Sequence, residues 1–551
     1  MVLVQAKPSP VPGPDLLSRL PVELLLRITH HLKTTELCAV RLCSRSLESA
    51  LRHSFVLEFF QRKQFMLTDF SLQTLLAIAR HPVMSQALRH VSISLDELSG
   101  LGLYCPQSRN AMECMALHVQ QETLFMSGRA QQLLAAAFSL LPNLEIVQLR
   151  DTTSRTRYRD GSHAPWRSYG LRCTQDVLGK IDRRFQFQNE NPEISSIAFS
   201  IVMTALAVSN ARPESIEVKM HSKWAGLKYF AFDLSPVPRL GLPGVSAEND
   251  DGNKLAVLAA LRKLHLKLQF VVNPHKASHL ESDDSPLDGK SGRAATECIP
   301  LHVWLAHCPN VQWFRLNLHK ESRNHNDVFL RRLGSPLPAA YPLPAGSKAS
   351  RNITMPFASH LRRFDLGVAC CRRDVLLKLL NCFPALEHLS LFRFSLIRDK
   401  KTADTPYNIW NKFFDELATS TLGLQLKEMS LRRLSVAIYS YTQPYMLKPY
   451  IVTFTEDEVD DIHFKAEDGK PMASWLQDIH MGVLLQEWPG GYIINENDDD
   501  DAPGTPESEN ASYDRYMSED LYCSSYATED LELMEERMKE RRDKEDNESC
   551  K

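Results

Sequence analysis

The sequence has 551 residues, of which 43% are hydrophobic and 24% charged, and these are ordinary values for a globular protein. Its length predicts about three to four domains, or one long repeat array. No stretch approaches about 18 uninterrupted apolar residues, so the sequence excludes a transmembrane helix. Twelve cysteines are too few for a disulfide scaffold, and the start of the chain lacks the apolar core of a secretion signal. We therefore expect reduced thiols and a cytoplasmic or nuclear protein that does not contact a membrane.

The net charge of −3 conceals two oppositely charged parts. Residues 495–551 include 20 acidic and 7 basic residues, a net charge of −13, whereas residues 1–494 have a net charge of +10. A strongly acidic composition with few large apolar residues predicts a disordered C-terminal tail at 495–551. The alternatives are a tail that folds back over the basic body or one that recruits a basic partner. Residues 1–14 contain four prolines and are expected to form a disordered arm.

The first structured part of the chain is predicted to consist of short helices. Apolar residues recur there at helical spacing up to about residue 53. Pro21 is tolerated in a first helical turn, and a threonine after Lys33 can cap the next helix. We expect helices near Val22–Leu32 and Thr35–Arg41, and another after Ser44.

The order of these residues is more specific than their spacing. The segment opens with Leu20-Pro21-Val22-Glu23-Leu24, continues with apolar residues in register, and ends in Ser46-Leu47. It resembles the F-box, the motif through which substrate receptors dock on a Skp-type adaptor in cullin-type (SCF) ubiquitin ligases. Many F-boxes have an aromatic residue near the end of the motif, and the version here resembles the one common in filamentous-fungal F-box proteins. The resemblance implies an F-box at residues 15–60 whose adaptor-binding residues are Leu20, Pro21, Leu24, Ile28, Leu32, Leu37, Leu42 and Leu47.

After this segment, a pattern recurs in which apolar residues occupy the first, fourth and sixth positions. The last two positions alternate as in a short strand, and a helical stretch precedes most of them. At Pro142, Pro309 and Pro384, a proline separates helix from strand, because it disfavours helix in the residue before it. The pattern occurs at Leu88-Val91-Ile93, Leu144-Val147-Leu149, Leu227-Phe230-Phe232, Leu261-Leu264-Leu266, Val311-Phe314-Leu316, Leu361-Phe364-Leu366, Leu386-Leu389-Leu391 and Leu426-Met429-Leu431.

This pattern resembles a leucine-rich repeat array, in which stacked helix–strand units share one core and one parallel sheet. The intervals between units run from 25 to 83 residues, so the array over residues 61–494 is expected to be irregular. Composition predicts flexible insertions near 236–253, 273–296 and 319–357. The predicted fold class is α/β: a three-helix F-box, an irregular leucine-rich-repeat-like solenoid with a parallel sheet, and a disordered acidic tail. The alternative is that the triples recur by chance in a leucine-rich chain.

Residues between the apolar strand positions are the predicted target-binding residues, because they would face the concave side of such a sheet. The sequence neither ranks them nor identifies the target protein. They are Glu145, Gln148, Gln312, Arg315, Glu387 and Ser390.

No pattern in the sequence indicates a catalytic site, a metal site or a cofactor. Two cysteines and two histidines near Pro309 have spacings that fit no zinc site, and a helix over Leu301–His307 explains them better. Gly289-Lys290-Ser291 lacks the first glycine and the preceding strand of a phosphate loop. Basic residues are scattered without an aromatic series, so we expect no nucleic-acid binding. The four residues considered for a metal were Cys298, His302, His307 and Cys308.

Two functions remain open. The F-box resemblance implies a non-catalytic substrate receptor, which binds a Skp-type adaptor, and through it a cullin, while its repeat body binds a target protein. The target would then be held near a ubiquitin-charged enzyme at high effective concentration. The alternative is a stand-alone repeat scaffold, or an enzyme of unknown class, whose N-terminal helices only cap the array. A docking site would leave an apolar patch around Leu20, Pro21 and Ile28 exposed, whereas a cap would bury it.

Overall fold

The computed structural model describes most of the chain between residues 17 and 487, and every described residue belongs to one compact unit, Met1–Pro489. The described ranges are 17–95, 111–151, 158–160, 168–170, 193–220, 226–232, 234, 247–269, 299–318, 323–335, 356–398, 408–437, 450–454, 461–466 and 471–487. The predicted arm at 1–14, the predicted insertion at 273–296 and the predicted acidic tail at 495–551 lie outside these ranges.

Three helices open the described part of the chain, as the sequence predicts. They are α1 (Val22–His30), α2 (Thr34–Cys43) and α3 (Arg45–Phe60). The first helix follows directly after Pro21, whose fixed φ suits the start of a helix. Ser44 caps α3, because its Oγ accepts a hydrogen bond from the Leu47 N–H at 3.1 Å.

The start of α2 differs from the prediction that a threonine caps it. Lys33 precedes the helix, and Thr34 is already its first residue. The Lys33 N–H donates to Oε2 of Glu36 at 2.9 Å. The N–H and the hydroxyl of Thr34 both donate to Asp160, which lies far along the chain. Helix α2 is therefore capped partly by its own Glu36 and partly by Asp160, which lies outside the three helices.

The main sheet has ten strands and is mostly parallel. In spatial order the strands are β1 (Arg62–Met66), β2 (His90–Ser94), β3 (Ile146–Arg150), β4 (Ser215–Lys219), β5 (Lys263–Lys267), β6 (Trp313–Asn317), β7 (Arg363–Gly367), β9 (His388–Phe392), β11 (Glu428–Arg432) and β14 (Asp461–Lys465). The last strand is antiparallel to β11, and the other nine run parallel. The protein is therefore a mixed α/β protein with helices at its N-terminus.

Five further strands form a second sheet. They are β8 (Cys370–Arg372), β10 (Ser395–Ile397), β12 (Ser435–Ala437), β13 (Tyr450–Phe454) and β15 (Val483–Glu487). Strands β8, β10 and β12 pair in parallel, and each follows a strand of the main sheet after one turn. Val368, Arg393 and Arg433 occupy equivalent positions in these turns, with φ of 51°, 48° and 50°. The same uncommon backbone turn at three places indicates that these units repeat one local structure.

Helices connect consecutive strands of the main sheet, which is the connection that parallel strands require. They are α4 (Asp69–Arg80), α5 (Met84–Ala87), α6 (Ala111–Met126), α7 (Arg129–Phe138), α8 (Ile194–Ser209), α9 (Ala247–Ala260), α10 (Ile299–Leu305), α11 (Arg323–Leu333), α12 (Arg373–Leu380), α13 (Ile409–Thr419) and α14 (Thr421–Gln425), with α15 (Met472–Gly482) near the end. Among the helices that the structure describes, none is long and apolar enough to cross a bilayer.

One face of the main sheet packs against the helices and forms the core. Val91, Val147 and Ile216 are neighbours in register on β2, β3 and β4, and all three are buried. Further along, the ring centroids of Phe314 and Phe364 lie 5.8 Å apart on neighbouring strands. Each unit thus buries its apolar side against the next, which explains why the apolar triple recurs along the sequence.

Seven of the eight apolar triples contribute residues to strands of the main sheet. The prediction for Leu227-Phe230-Phe232 is wrong, because a 3₁₀ turn at Tyr229–Phe232 occupies that position and Phe230 is exposed. The strand of this unit is β4, where a buried Pro213 takes the first apolar position and Ile216 and Val218 take the others.

Two of the predicted flexible insertions are wrong in part. Residues 247–253, at the end of the insertion predicted near 236–253, begin helix α9. The first part of the insertion predicted near 319–357 forms helix α11. Phe329, Leu330 and Leu333 of α11 are buried in the main core, which holds this helix against the sheet. The prolines that follow α11 led to the prediction of a flexible insertion, although the segment before them contains these three apolar residues.

Candidate functional site

The three N-terminal helices form a small bundle with its own core, separate from the core of the main sheet. Leu20 and Leu32 are half-buried against this core, and Arg41 covers its side by lying 3.5 Å from the centroid of the Phe55 ring. The buried side chains of the core are Leu25, Leu37, Leu47 and Leu51.

Helix α1 contains more apolar residues than this core buries. Only one stripe, which includes Leu25 and Thr29, faces inward, and the Thr29 hydroxyl donates to the Leu25 carbonyl oxygen at 2.8 Å. The exposed fractions are 45% for Leu24 and 46% for Ile28. Four large apolar side chains of this nine-residue helix are exposed, and such an arrangement is typical of a protein-binding surface. They are Val22, Leu24, Leu26 and Ile28, and we call them the α1 surface.

The structure separates the eight residues that the sequence assigned to adaptor binding. Pro21, Leu24, Ile28 and Leu42 are exposed, with Leu42 87% exposed, whereas Leu20 and Leu32 are half-buried. Leu37 and Leu47 are buried in the bundle core, so the assignment is corrected for these two. Their role in this conformation is to hold the helices together. The motif supplies apolar residues both to the bundle core and to its surface. The spacing of these residues alone therefore does not distinguish buried positions from exposed ones.

Sequence reasoning missed two members of the α1 surface, Val22 and Leu26. Both lie on the other side of the buried stripe from Leu24 and Ile28, so the α1 surface flanks that stripe on both sides. A signal was present: α1 has apolar residues at five of its first seven positions, more than a single buried stripe needs.

Charged residues fix α2 against α3. The Arg41 guanidinium lies 3.4 Å from the Glu48 carboxylate. A side-chain hydrogen bond from Arg52 lowers the pKa of Glu48, and nearby Arg41 lowers it further. Glu48 thus stays ionised in the first turn of α3, where a negative charge also complements the helix dipole.

The second candidate site is the face of the main sheet opposite its core. Side chains at the middle of the strands form a continuous polar row across this face. The hydroxyl of Ser92 donates to Oε1 of Gln148 at 3.0 Å, and Nε2 of Gln148 donates to Oε2 of Glu217 at 2.8 Å. In register, the row is Gln64, Ser92, Gln148, Glu217, His265, Arg315, Asp365, Ser390, Ser430 and His463.

Three of the six predicted target-binding residues belong to this polar row, but they differ in exposure. Gln148 and Arg315 are buried, so they are unavailable to a target in this conformation, and the prediction is corrected for both. Ser390 is half-buried. Strand alternation places these residues on the face opposite the core, but it carries no information on what covers each strand.

The other three predicted residues precede their strands and lie at the edge of the sheet where the strands begin. Glu145 forms an ion pair with Arg89, and Glu387 lies 3.0 Å from Lys427. A hydrogen bond from Lys427 is the main cause that lowers the pKa of Glu387. Gln312 is exposed. This edge is thus polar and partly open, and it supplies the more accessible of the candidate target contacts.

Charges concentrate at the centre of the polar face. Burial alone would raise the pKa of the Glu217 carboxyl, but the positive charge of Lys219, 2.9 Å away, outweighs burial and holds that pKa well below its ordinary value. Burial is also the main cause that lowers the pKa of His90 and His265 well below 6.5, with nearby cations adding to it. Both histidines are therefore neutral at pH 7 and Glu217 is ionised.

Within the described ranges, no group of three or more His, Cys, Asp or Glu side chains is placed to hold a metal ion. Of the four residues considered for a metal, Cys298 lies outside those ranges. His302 and Cys308 are buried at α10 and just after it, and burial raises the pKa of the Cys308 thiol. The Cys308 Sγ donates to the Trp304 carbonyl oxygen at 3.6 Å, as a small buried residue does.

The comparison with protein families identifies the bundle. Residues 17–58 match the F-box domain. The match covers α1, α2 and nearly all of α3, which confirms the F-box predicted from Leu20-Pro21-Val22-Glu23-Leu24 onward. F-box domains generally bind Skp-type adaptors, and F-box proteins are typically non-catalytic adaptors. A search of curated proteins found no match to the chain. The exposed α1 surface is therefore part of an F-box domain.

Proposed function

We propose that this protein is a target-binding subunit of a cullin-type (SCF) ubiquitin ligase. Its F-box would bind a Skp-type adaptor and, through it, a cullin, while the body binds a target protein that is still unidentified. The protein itself performs no catalysis in this proposal. It raises the effective concentration of the target near a ubiquitin-charged enzyme. Action of this kind fits a cytoplasmic or nuclear protein.

The observation that carries the proposal is the exposed α1 surface on a bundle that matches the F-box domain. A set of helices that only capped the sheet would bury these side chains against it. Instead, Leu24 and Ile28 are nearly half exposed while Leu25, between them, is buried. Exposed large apolar residues beside a complete core are what a docking helix offers to a partner.

For the body, we propose an irregular leucine-rich-repeat-like solenoid of the type found in filamentous-fungal F-box proteins. Parallel strands that alternate with helices support this reading, as do the three equivalent turns at Val368, Arg393 and Arg433. The target would bind along the polar edge near Glu145, Gln312 and Glu387 and across the polar face at Ser390.

The proposal is tested by recovering the protein from cells treated with a proteasome inhibitor. A Leu24→Asp/Ile28→Asp variant disrupts the α1 surface, and Val208→Asp is the control, because Val208 is comparably exposed but lies on α8. We expect the unaltered chain and the control to recover a Skp-type adaptor and a cullin, and the α1 variant to lose both. Targets would be ubiquitylated with the unaltered chain and would remain bound, without ubiquitin, to the α1 variant. Equal recovery of adaptor and cullin by all three forms would contradict the proposal.

A further inference from the structure

Two short stretches of chain between β3 and α8 contact both the F-box and the body. They are residues 158–160 and 168–170, and we call them the strap. The first stretch follows Asp151, at the end of β3, after six residues. Seven residues connect it to the second stretch. The strap is thus close in sequence to the main sheet, although its first contacts are with helices more than a hundred residues earlier.

Asp160 supplies the part of the α2 cap that Glu36 within the helix does not. Its Oδ1 accepts the Thr34 N–H at 2.7 Å, and its Oδ2 accepts the Thr34 hydroxyl at 2.6 Å. Lys33, the residue before the helix, has no acceptor oxygen in its side chain, so it cannot provide this part of the cap. A carboxylate at this end of the helix also complements the helix dipole.

Arg159 binds the ends of the other two F-box helices. Its Nε and one terminal nitrogen donate to the two carboxylate oxygens of Glu58, near the end of α3, at 2.6 and 2.7 Å. Its other terminal nitrogen donates to the carbonyl oxygen of Leu32 at 2.8 Å and to that of Thr29. The Thr29 carbonyl lies in the last turn of α1 and the Leu32 carbonyl just after it, where a cation is favoured. The bidentate geometry fixes the guanidinium in one orientation.

The second stretch of the strap is fixed to the first strand of the sheet. The Tyr169 N–H donates to the Gln64 carbonyl oxygen at 2.8 Å, and the Met66 N–H donates to the Tyr169 carbonyl oxygen at 3.3 Å. The Ser71 hydroxyl donates to the same Tyr169 oxygen at 2.8 Å. Tyr169 therefore pairs with the edge of β1 while Arg159 and Asp160 hold the F-box.

We propose that Arg159 and Asp160 are positioning residues that lock the F-box at one orientation relative to the target-binding body. Helix α3 continues into β1 through Gln61, and Phe60 at its end packs against the main core. This junction lies on α3 alone and leaves the bundle some freedom to rotate about it. The strap adds direct hydrogen bonds from the body to α1 and α2 and removes that freedom. Its consequence for ubiquitin transfer rests on the proposed function: a fixed orientation keeps the target within reach of the charged enzyme.

Distance measurements by pulsed electron paramagnetic resonance on the full chain test the lock. Spin labels are introduced through non-natural amino acids at two exposed positions, Thr35 on α2 and Gln132 on α7. We expect a single narrow distance distribution for the unaltered chain. In Arg159→Ala/Asp160→Ala, the distribution should broaden at least about twofold, because the bundle is then held to the body through the α3–β1 junction without the hydrogen bonds to α1 and α2. The control Arg373→Ala removes an ion pair with Glu416 inside the body and should leave the distribution narrow.

A second variant distinguishes release of the F-box from loss of helical structure in the double mutant. Insertion of about twelve Gly and Ser residues within 152–157 and again within 161–167 keeps every contact of Arg159 and Asp160 with the F-box but frees them from both β3 and β1. This variant should also broaden the distribution. Widths equal to that of the unaltered chain in both variants would overturn the lock. Binding of a Skp-type adaptor is measured in parallel. If the unaltered chain does not bind the adaptor, the proposed function is overturned. The distance distributions test the orientation of the F-box independently of that result.

Discussion

Replacement of Leu389 by alanine tests the alternation of faces that defines the core and the polar row. Leu389 is buried at the centre of β9, in register between Phe364 on β7 and Met429 on β11. Truncation removes three buried carbons, which costs about 2 kcal/mol in transfer free energy. The rigid Phe364 ring cannot fill the space, whereas the flexible Met429 can fill part of it. We therefore expect a total loss of about 3 kcal/mol, within the usual range of 2–5 kcal/mol for such changes.

The matched control is Ser390→Ala, because Ser390 is the next residue and its side chain points to the opposite, polar face. It should change the free energy of unfolding by less than about 0.5 kcal/mol. Glu387→Ala, which removes the ion pair with Lys427, should cost at most about 1 kcal/mol. Urea denaturation followed by circular dichroism measures all three. Equal losses for Leu389→Ala and Ser390→Ala would refute the register, since a slip of one residue exchanges the two faces.

The remaining predictions concern two histidines of the polar face and one strained turn. Chiefly through burial, His90 and His265 have a pKa below 6.5 in the folded protein. As the pH decreases, these histidines therefore bind protons in the unfolded chain before they do so in the folded protein. The stability that is present above about pH 6.5 is lost as the pH falls. His90→Gln/His265→Gln should reduce the difference between urea midpoints at about pH 7.5 and pH 5.5, and an unchanged difference would contradict this reasoning. Arg433 has a φ of 50°, so Arg433→Gly should leave stability unchanged or raise it by up to about 1 kcal/mol. Arg432→Gly, within β11, should lower stability by about 1 kcal/mol, and the opposite order of the two urea midpoints would refute the strain.

Local sequence patterns predicted the helices and strands whose formation depends on residues close to one another in the sequence. The F-box helices follow from apolar spacing with Pro21 and Ser44 at their starts, and the strands follow from the recurrent triple. The failure at Leu227 has a physical reason, because a 3₁₀ turn can present the same apolar spacing as a strand. Strand β4 was missed because Pro213 took the place of the usual leucine, and β1 was missed because Lys63 stands at a core-facing position.

Long-range contacts account for what the sequence did not predict. Part of the α2 cap comes from Asp160, and no local pattern connects Thr34 with a residue 126 positions away. Exposure also depends on neighbours that are distant in sequence. Leu37 and Leu42 occupy equivalent-looking positions in the motif, yet one is buried and the other is 87% exposed. For the same reason, Gln148 and Arg315 lie on the predicted face but are buried there.

The affinity of the full chain for a Skp-type adaptor, measured by isothermal titration calorimetry, tests the central claim most directly. Leu24→Ala/Ile28→Ala removes two exposed anchors of the α1 surface, and anchors of this kind contribute about 2 kcal/mol each. The control, Leu140→Ala/Val208→Ala, truncates two comparably exposed apolar residues outside the F-box. We predict that the α1 variant binds about a thousandfold more weakly, which corresponds to about 4 kcal/mol of lost binding free energy, while its melting temperature and the control's affinity stay unchanged. An adaptor Kd that is the same for all three proteins would contradict the account.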